Sequence, residues 1–212
     1  MGIAYYEHSK VFATADNQER VAILEGFLLH IYSPVPEITV LQQAIEWLPD
    51  FEAHHSMEEI AEGQGILENM FNRYGFPGFD VAGKEGSFNF WLMAQHCDKW
   101  PAFQDKVLTS MKKQVDKGNA NPQNYAYLTD RVRMNTGRKQ LYGTQVTYNT
   151  DSCQAYPRPT EDSLQLNERR KMMGMESIEK YLNAVSEGHF EMNRAGYEKR
   201  GITKAKLYAI KQ

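Results

Sequence analysis

The sequence predicts a mainly α fold, a single-domain helical array with a small β element, a hairpin, near residues 132–148. Three observations carry that prediction. Apolar residues recur at helical spacing through most of the chain, cap-forming residues precede those runs with Gly or Pro behind them, and only Gln140 to Tyr148 reads better as a strand. At 212 residues the chain suits one domain with appendages and is long enough to bury a substantial core. No internal repeat or low-complexity tract interrupts it.

Asp16 and Glu19 form an N-cap and N3 pair, after which Val21, Leu24, Leu28 and Ile31 recur until Ser33-Pro34-Val35-Pro36 stops the run. A second helix is expected from about Ile38 to Trp47, so residues 1–50 read as N-terminal helices packing on the core. The core domain itself is placed at 51–190. Ser56 and Glu59 make a capping box for a helix through Ile60, Leu67, Met70 and Phe71. Gly63 and Gly65 weaken that helix by about 1 kcal/mol each relative to Ala and mark a place for a kink.

Tyr74-Gly75-Phe76-Pro77-Gly78 is a loop by composition, Ser87 is the expected cap of the helix carrying Trp91, and Pro101 fits the first position of the next, which runs to Gly118. Asn121-Pro122 repeats the cap-then-proline pattern. Asn135-Thr136-Gly137 reads as a turn, and the strand from Gln140 to Tyr148 is expected to pair with residues just before it. Asp151 to Pro159 is loop-like, Thr160 or Ser163 begins a charged helix ending near Gly174, and Ser177 begins another. Residues 191–212 are basic and sparsely apolar, a peripheral tail or docking helix.

A net charge of -3 provides no field to concentrate nucleic acid or an acidic membrane. No apolar run approaches the roughly 20 residues needed to span a bilayer, and the N-terminus lacks a basic segment followed by an apolar one. The expectations are a cytoplasmic protein, no nucleic-acid partner and no membrane partner. Cys97 and Cys153 lack CxxC spacing and read as two reduced thiols.

The stretch from Trp91 to Gln145 concentrates polar residues in what otherwise reads as core. At 100 degrees per residue, Phe88, Trp91, Leu92 and Gln95 share one stripe of a helix, His96 lies at its margin, and Phe90, Met93, Ala94 and Cys97 cover the other side. A helix apolar nearly all round is buried, and an unpaired buried amide or imidazole costs on the order of 1–3 kcal/mol. Gln95 and His96 therefore need partners. Asp130, Arg131, Gln140 and Gln145 are the nearest unusual polar residues.

Such a network either only fixes the fold or forms a site. As a site, His96 is the acid or base because it alone titrates near neutrality unperturbed, and Asp130 orients it. Arg131 grips a carboxylate or phosphate, while Gln140, Tyr142 and Gln145 donate to a developing oxyanion. Cys97 is no partner for His96, since helical neighbours diverge by 100 degrees. In a regular strand Gln140 and Gln145, five apart, face opposite sides unless Gly143 marks a bulge or bend.

The order WLxxQH, FQ, YLTDR, GRxQxYGTQ, PRPxED and RRxxxGM with a following YL resembles a bacterial family catalogued only as a domain of unknown function. The resemblance covers residues 60–182, with a weaker echo at Asp16 to Arg20. It implies that Gln95, His96, Gln104, Asp130, Arg131, Gln140, Tyr142, Gly143, Thr144 and Gln145 hold signature positions. The chain departs from the family pattern at Cys97, where Ala is common, and Phe76, where Trp is common. Neither departure removes a polar signature group, and no reaction comes with the family. Asn167 to Lys171 reads as a solvated face, with an internal clamp of Arg169 and Arg170 onto Asp162 or Glu161 as the alternative the resemblance raises. Met172, Met173 and Met175 read as a flexible packing seam.

Glu52 and His55 have the Glu-x-x-His spacing of carboxylate-bridged di-iron bundles, and His54 with Glu58 shares a face. No second Glu-x-x-His exists, and Ser56 as an N-cap puts both histidines in a connector. No metal is expected there, and nothing calls for a cofactor. His8, His30 and His189 read as surface or packing residues. Two functions follow: a small-molecule- or peptide-acting enzyme using His96 for acid/base chemistry, or a non-catalytic binding or immunity-type interaction protein. A carboxylate/histidine metal enzyme ranks behind both.

Overall fold

The computed structural model describes residues 57–210. The helices expected over residues 1–50, the expected Ser56 cap and the Glu52-His54-His55 group lie outside the described residues. Four helices come first: α1 (Met57–Tyr74), α2 (Phe79–Gln95), α3 (Pro101–Asp116) and α4 (Pro122–Asn135). A hairpin of β1 (Val146–Asn149) and β2 (Gln154–Pro157) follows, then a 3-10 turn (Ser163–Gln165), α5 (Leu166–Met172), α6 (Ile178–Met192) and the short α7 (Arg194–Glu198). This is the mainly helical fold with one small hairpin that the patterning predicts.

The glycines act differently from the expectation. Helix α1 runs in one piece through Gly63 and Gly65. The kink lies instead in α2 at Gly83, whose φ of 68 and ψ of 177 break the helical path, a conformation open to a residue without Cβ. Ser87 is thus a buried interior position of α2, not its cap. Pro101 opens α3 at its first turn, and Gly118 (φ +70) ends it. Asn121 caps α4, its Oδ1 accepting from the Gln123 and Asn124 N–H groups at 2.8 and 3.3 Å.

The first core unites these helices. Leu67, Phe76, Phe90, Trp91, Ala94, Phe103, Val107, Met111, Leu128 and Val132 are buried together. Phe76 meets Phe90, and Phe71 meets Phe103, edge to face at centroid distances of 5.6 and 5.8 Å.

The hairpin sits further along the chain than expected. Val146 pairs with Pro157 and Asn149 with Gln154, antiparallel, so the partner strand comes from the 151–159 stretch that reads as loop by composition. Residues 132–135, the expected partner, remain the end of α4. Residues 141–145 cannot extend as strand, because the Leu141, Tyr142 and Thr144 N–H groups turn inward onto Asp130, the Gln145 N–H goes to Gln140 Oε1, and Gly143 adopts φ +69. Gln140 makes an isolated parallel bridge with Thr160.

Ser177 Oγ accepts from the Lys180 N–H at 3.4 Å and starts α6. The C-terminal stretch returns to the hairpin side: Asn183 and Tyr208 exchange two hydrogen bonds at 3.0 and 2.7 Å, and the Tyr208 hydroxyl donates to the Ala155 carbonyl at 2.9 Å. Cys153, Phe190 and Tyr197 form a second buried cluster.

Candidate functional site

Asp130, on the buried side of α4, is fully enclosed. Its Oδ1 accepts from the Leu141 and Tyr142 N–H groups at 2.7 and 3.0 Å. Its Oδ2 accepts from the Thr144 N–H and hydroxyl at 2.8 and 3.0 Å, with a longer approach from the Tyr142 N–H at 3.2 Å. A buried carboxylate is stabilised by charge-assisted donors of this kind. The carboxylate organises the loop, and both oxygens are engaged by it.

Gln140 staples the same loop from its other end. Its amide nitrogen donates to the Gln145 and Arg158 carbonyls at 2.9 and 2.8 Å, and its Oε1 accepts from the Gln145 N–H at 2.6 Å. The bend at Gly143 therefore brings Gln140 and Gln145 together, although the bond runs from a side chain to a backbone. The Gln145 amide reaches Thr144 Oγ1 at 3.3 Å.

Two arginines of α5 close the loop from below. Buried Arg170 donates to the Tyr142 and Glu176 carbonyls at 2.6 and 2.7 Å and lies 4.9 Å from the centre of the Tyr181 ring. Arg169 donates to the Leu141, Glu161 and Asp162 carbonyls at 2.7, 2.5 and 2.9 Å. The internal clamp is thus present, on main-chain oxygens and not on the acidic side chains. The Tyr181 hydroxyl donates to the Thr144 carbonyl at 2.8 Å. Burial, reinforced by Tyr125 and Asp130, pushes the Tyr142 phenol up to about 12, so Tyr142 is a neutral donor at physiological pH.

A second polar group forms one helix away. Arg131 grips Asp98 with two parallel bonds, Nε to Oδ1 at 2.8 Å and Nη2 to Oδ2 at 2.6 Å, and the Asn135 amide adds a third at 2.7 Å. Burial pushes the Asp98 carboxyl up, but hydrogen bonds and charge from Arg131, with Gln104 and Asn135, outweigh it and hold the group below its ordinary range. The carboxylate grip expected of Arg131 is therefore filled within the chain.

His96 is half-buried and forms the C-cap of α2. At the end of that helix and the start of α3, three buried polar atoms have no hydrogen-bond partner among the described residues: Trp91 Nε1, Gln95 Oε1 and Gln104 Oε1. Trp91 and Gln95 lie four apart on one helical face. Gln104 comes from the first turn of α3, its nitrogen donating to the Ala94 and Gln95 carbonyls at 3.0 and 3.3 Å. Those two bonds fix which end of the Gln104 amide is oxygen. Cys97 beside them is inert, its thiol pushed up to about 12 by burial and by the Asp98 and Glu68 charges.

The candidate residues thus divide into two groups. Asp130, Gln140, Tyr142 and Gln145 assemble around the 140–145 loop; Gln95, His96 and Arg131 belong to the region of α2 and Asp98. Every bond of the Asp130 carboxylate described above runs to Leu141, Tyr142 or Thr144 of that loop, so the expected Asp130–His96 pairing has no part in its coordination.

A family model matches residues 42–192, a span that contains every element of both groups. The chain belongs to a family of unknown function, DUF6624. No curated protein and no solved structure matches it. Among the described residues of this DUF6624 member, no group of three or more His, Cys, Asp or Glu side chains is placed to hold a metal ion, and no helix is long and apolar enough to cross a membrane.

Sequence reasoning missed Asp98, which follows the Gln95-His96 pair by two positions, and Trp91 as a polar group. Asp98 was legible only as one charge in a short connector; Trp91 read as core, which it is except at its nitrogen.

Proposed function

We propose that this DUF6624 protein binds a small polar molecule, free or part of a peptide, at the C-terminal turn of α2, with His96 as the acid or base beside it. One observation carries this reading: Trp91 Nε1, Gln95 Oε1 and Gln104 Oε1 are buried without partners among the described residues around the turn that bears His96. Each such atom costs about 1–3 kcal/mol, against a whole-fold stability of about 5–15 kcal/mol. Two of them on one face of α2, with a third on the α3 side chain that bonds the Ala94 and Gln95 carbonyls, are better accounted for by a ligand that completes them than by a core network. Asp130, Gln140, Arg169 and Arg170 are the frame that shapes the neighbouring loop, and Arg131 with Asp98 anchors α4 to the end of α2.

The test is two-dimensional NMR of the ¹⁵N-labelled chain against a panel of small polar molecules. Binding is expected to move the Trp91 indole N–H signal, and any conversion of the bound molecule is expected to vanish in His96→Gln while the Trp91 shift persists. A panel that leaves Trp91 unmoved contradicts ligand binding at this turn.

The saturation of Asp130, Gln140 and Arg170 by main-chain groups favours a second reading, a non-catalytic interaction protein whose polar signature only holds the fold. Binding without conversion of any panel member, unaffected by His96→Gln, supports that reading over an enzyme.

A further inference from the structure

We propose that the group recognised at this turn is a primary carboxamide. This rests on the ligand-binding reading above and names its chemistry. The three unpartnered atoms are one donor, the Trp91 indole N–H, and two acceptors, the Gln95 and Gln104 amide oxygens. A primary carboxamide presents the complement, one carbonyl acceptor and two N–H donors on a planar group. A carboxylate offers no donor and a guanidinium no acceptor, so each leaves part of the set unpaired.

Charge points the same way. Arg131 of α4 is held in a bidentate pair with Asp98. An anionic ligand on the Asp98 side therefore meets a carboxylate whose guanidinium partner is already committed, whereas a neutral amide avoids that repulsion. Gln95 is only partly buried as a residue, which places the approach on its side of the turn, while Trp91 and Gln104 are enclosed. Sites built to pair a ligand's N–H groups reject analogues that lack them far more strongly than apolar pockets reject a missing methylene.

The experiment is a titration of the full-length ¹⁵N-labelled protein with propionamide, N,N-dimethylpropionamide, propionate and a glutamine blocked at both ends, following the Trp91 indole N–H. The expected result is a saturable shift with propionamide, binding of the dimethyl amide and of propionate weaker by at least about tenfold, and a similar loss for propionamide in Gln95→Leu. Trp91→Phe removes the reporter and the donor together, so its propionamide affinity, read by calorimetry, is expected to fall as well. Tighter binding of the blocked glutamine than of propionamide identifies a peptide side chain as the source; the reverse identifies a free small amide. Equal binding of the dimethyl amide, or an unchanged affinity in Gln95→Leu, overturns the carboxamide assignment. So does absence of any saturable shift in the folded protein. Saturable binding of propionate or another panel molecule alone would keep the ligand site and remove the carboxamide; selective propionamide binding with no conversion and no effect of His96→Gln would keep the carboxamide and remove the proton-transfer role.

Discussion

Asp130 accepts both the backbone N–H and the hydroxyl of Thr144, at 2.8 and 3.0 Å, from within the buried face of α4. With the Leu141 and Tyr142 N–H groups on its other oxygen, this carboxylate substitutes for the strand partner that residues 141–145 lack. Removing it leaves several buried N–H groups orphaned. Asp130→Ala is expected to destabilise the protein by on the order of 4 kcal/mol, with Asp130→Asn costing about half, because the amide keeps one acceptor. Urea unfolding monitored by circular dichroism measures both, and an Asp130→Asn variant as stable as the parent contradicts the framing role.

Gly143 holds the bend that makes this possible. Its φ is +69, and a Cβ there meets Ile178 Cδ1 at 3.0 Å. Gly137 also has a positive φ, +75, but open space around its Cβ position. Gly137→Ala is expected to cost about 1 kcal/mol from backbone strain alone, and Gly143→Ala about 1–2 kcal/mol more. Equal urea midpoints for the two variants contradict this packing.

Much of the helical framework was legible because it obeys local rules: Pro101 and Asn121-Pro122 open helices as their chemistry requires, and Gly118 and Gly174 stop them. The hairpin was misplaced because its position depends on Asp130, a residue on another element, capturing the Leu141, Tyr142 and Thr144 N–H groups. Periodicity carries no record of such a contact. Ser87 was misread as a cap for a similar reason, since the left-handed turn at Gly83 lets α2 start at Phe79. In the candidate site the need of Gln95 for a partner was legible from the helical stripe. That its partner is not Asp130, and that Arg131 is taken by Asp98, follows only from three-dimensional placement.

The Asp98–Arg131 pair makes stability pH-dependent. The Asp98 carboxyl is lowered in the folded state, so its contribution is fully present above the unfolded carboxylate value of about 4 and is lost as pH falls through the folded value. Urea midpoints compared at pH 7 and pH 3 should therefore drop less in Asp98→Asn than in the parent. An identical drop in both excludes Asp98 as a contributor to acid sensitivity.

Cys97 is expected to resist thiol reagents in the native protein at pH 8, because its thiol is buried and raised to about 12. Ellman's reagent should modify it only after unfolding in urea. Rapid modification of Cys97 without denaturant would show that the end of α2 opens readily.

The central claim is that the polar atoms at the end of α2 belong to a site and not to the frame. The stability of Gln95→Leu, set beside that of Gln140→Leu, tests it most directly. Gln140 makes three hydrogen bonds through its side chain, so its loss is expected to cost about 2–4 kcal/mol. Gln95 Oε1 makes none among the described residues, and Gln95→Leu should leave the unliganded protein as stable as the parent or more stable, by up to about 1 kcal/mol. A urea midpoint for Gln95→Leu that falls as far as that of Gln140→Leu would place Gln95 in the structural network and contradict the account.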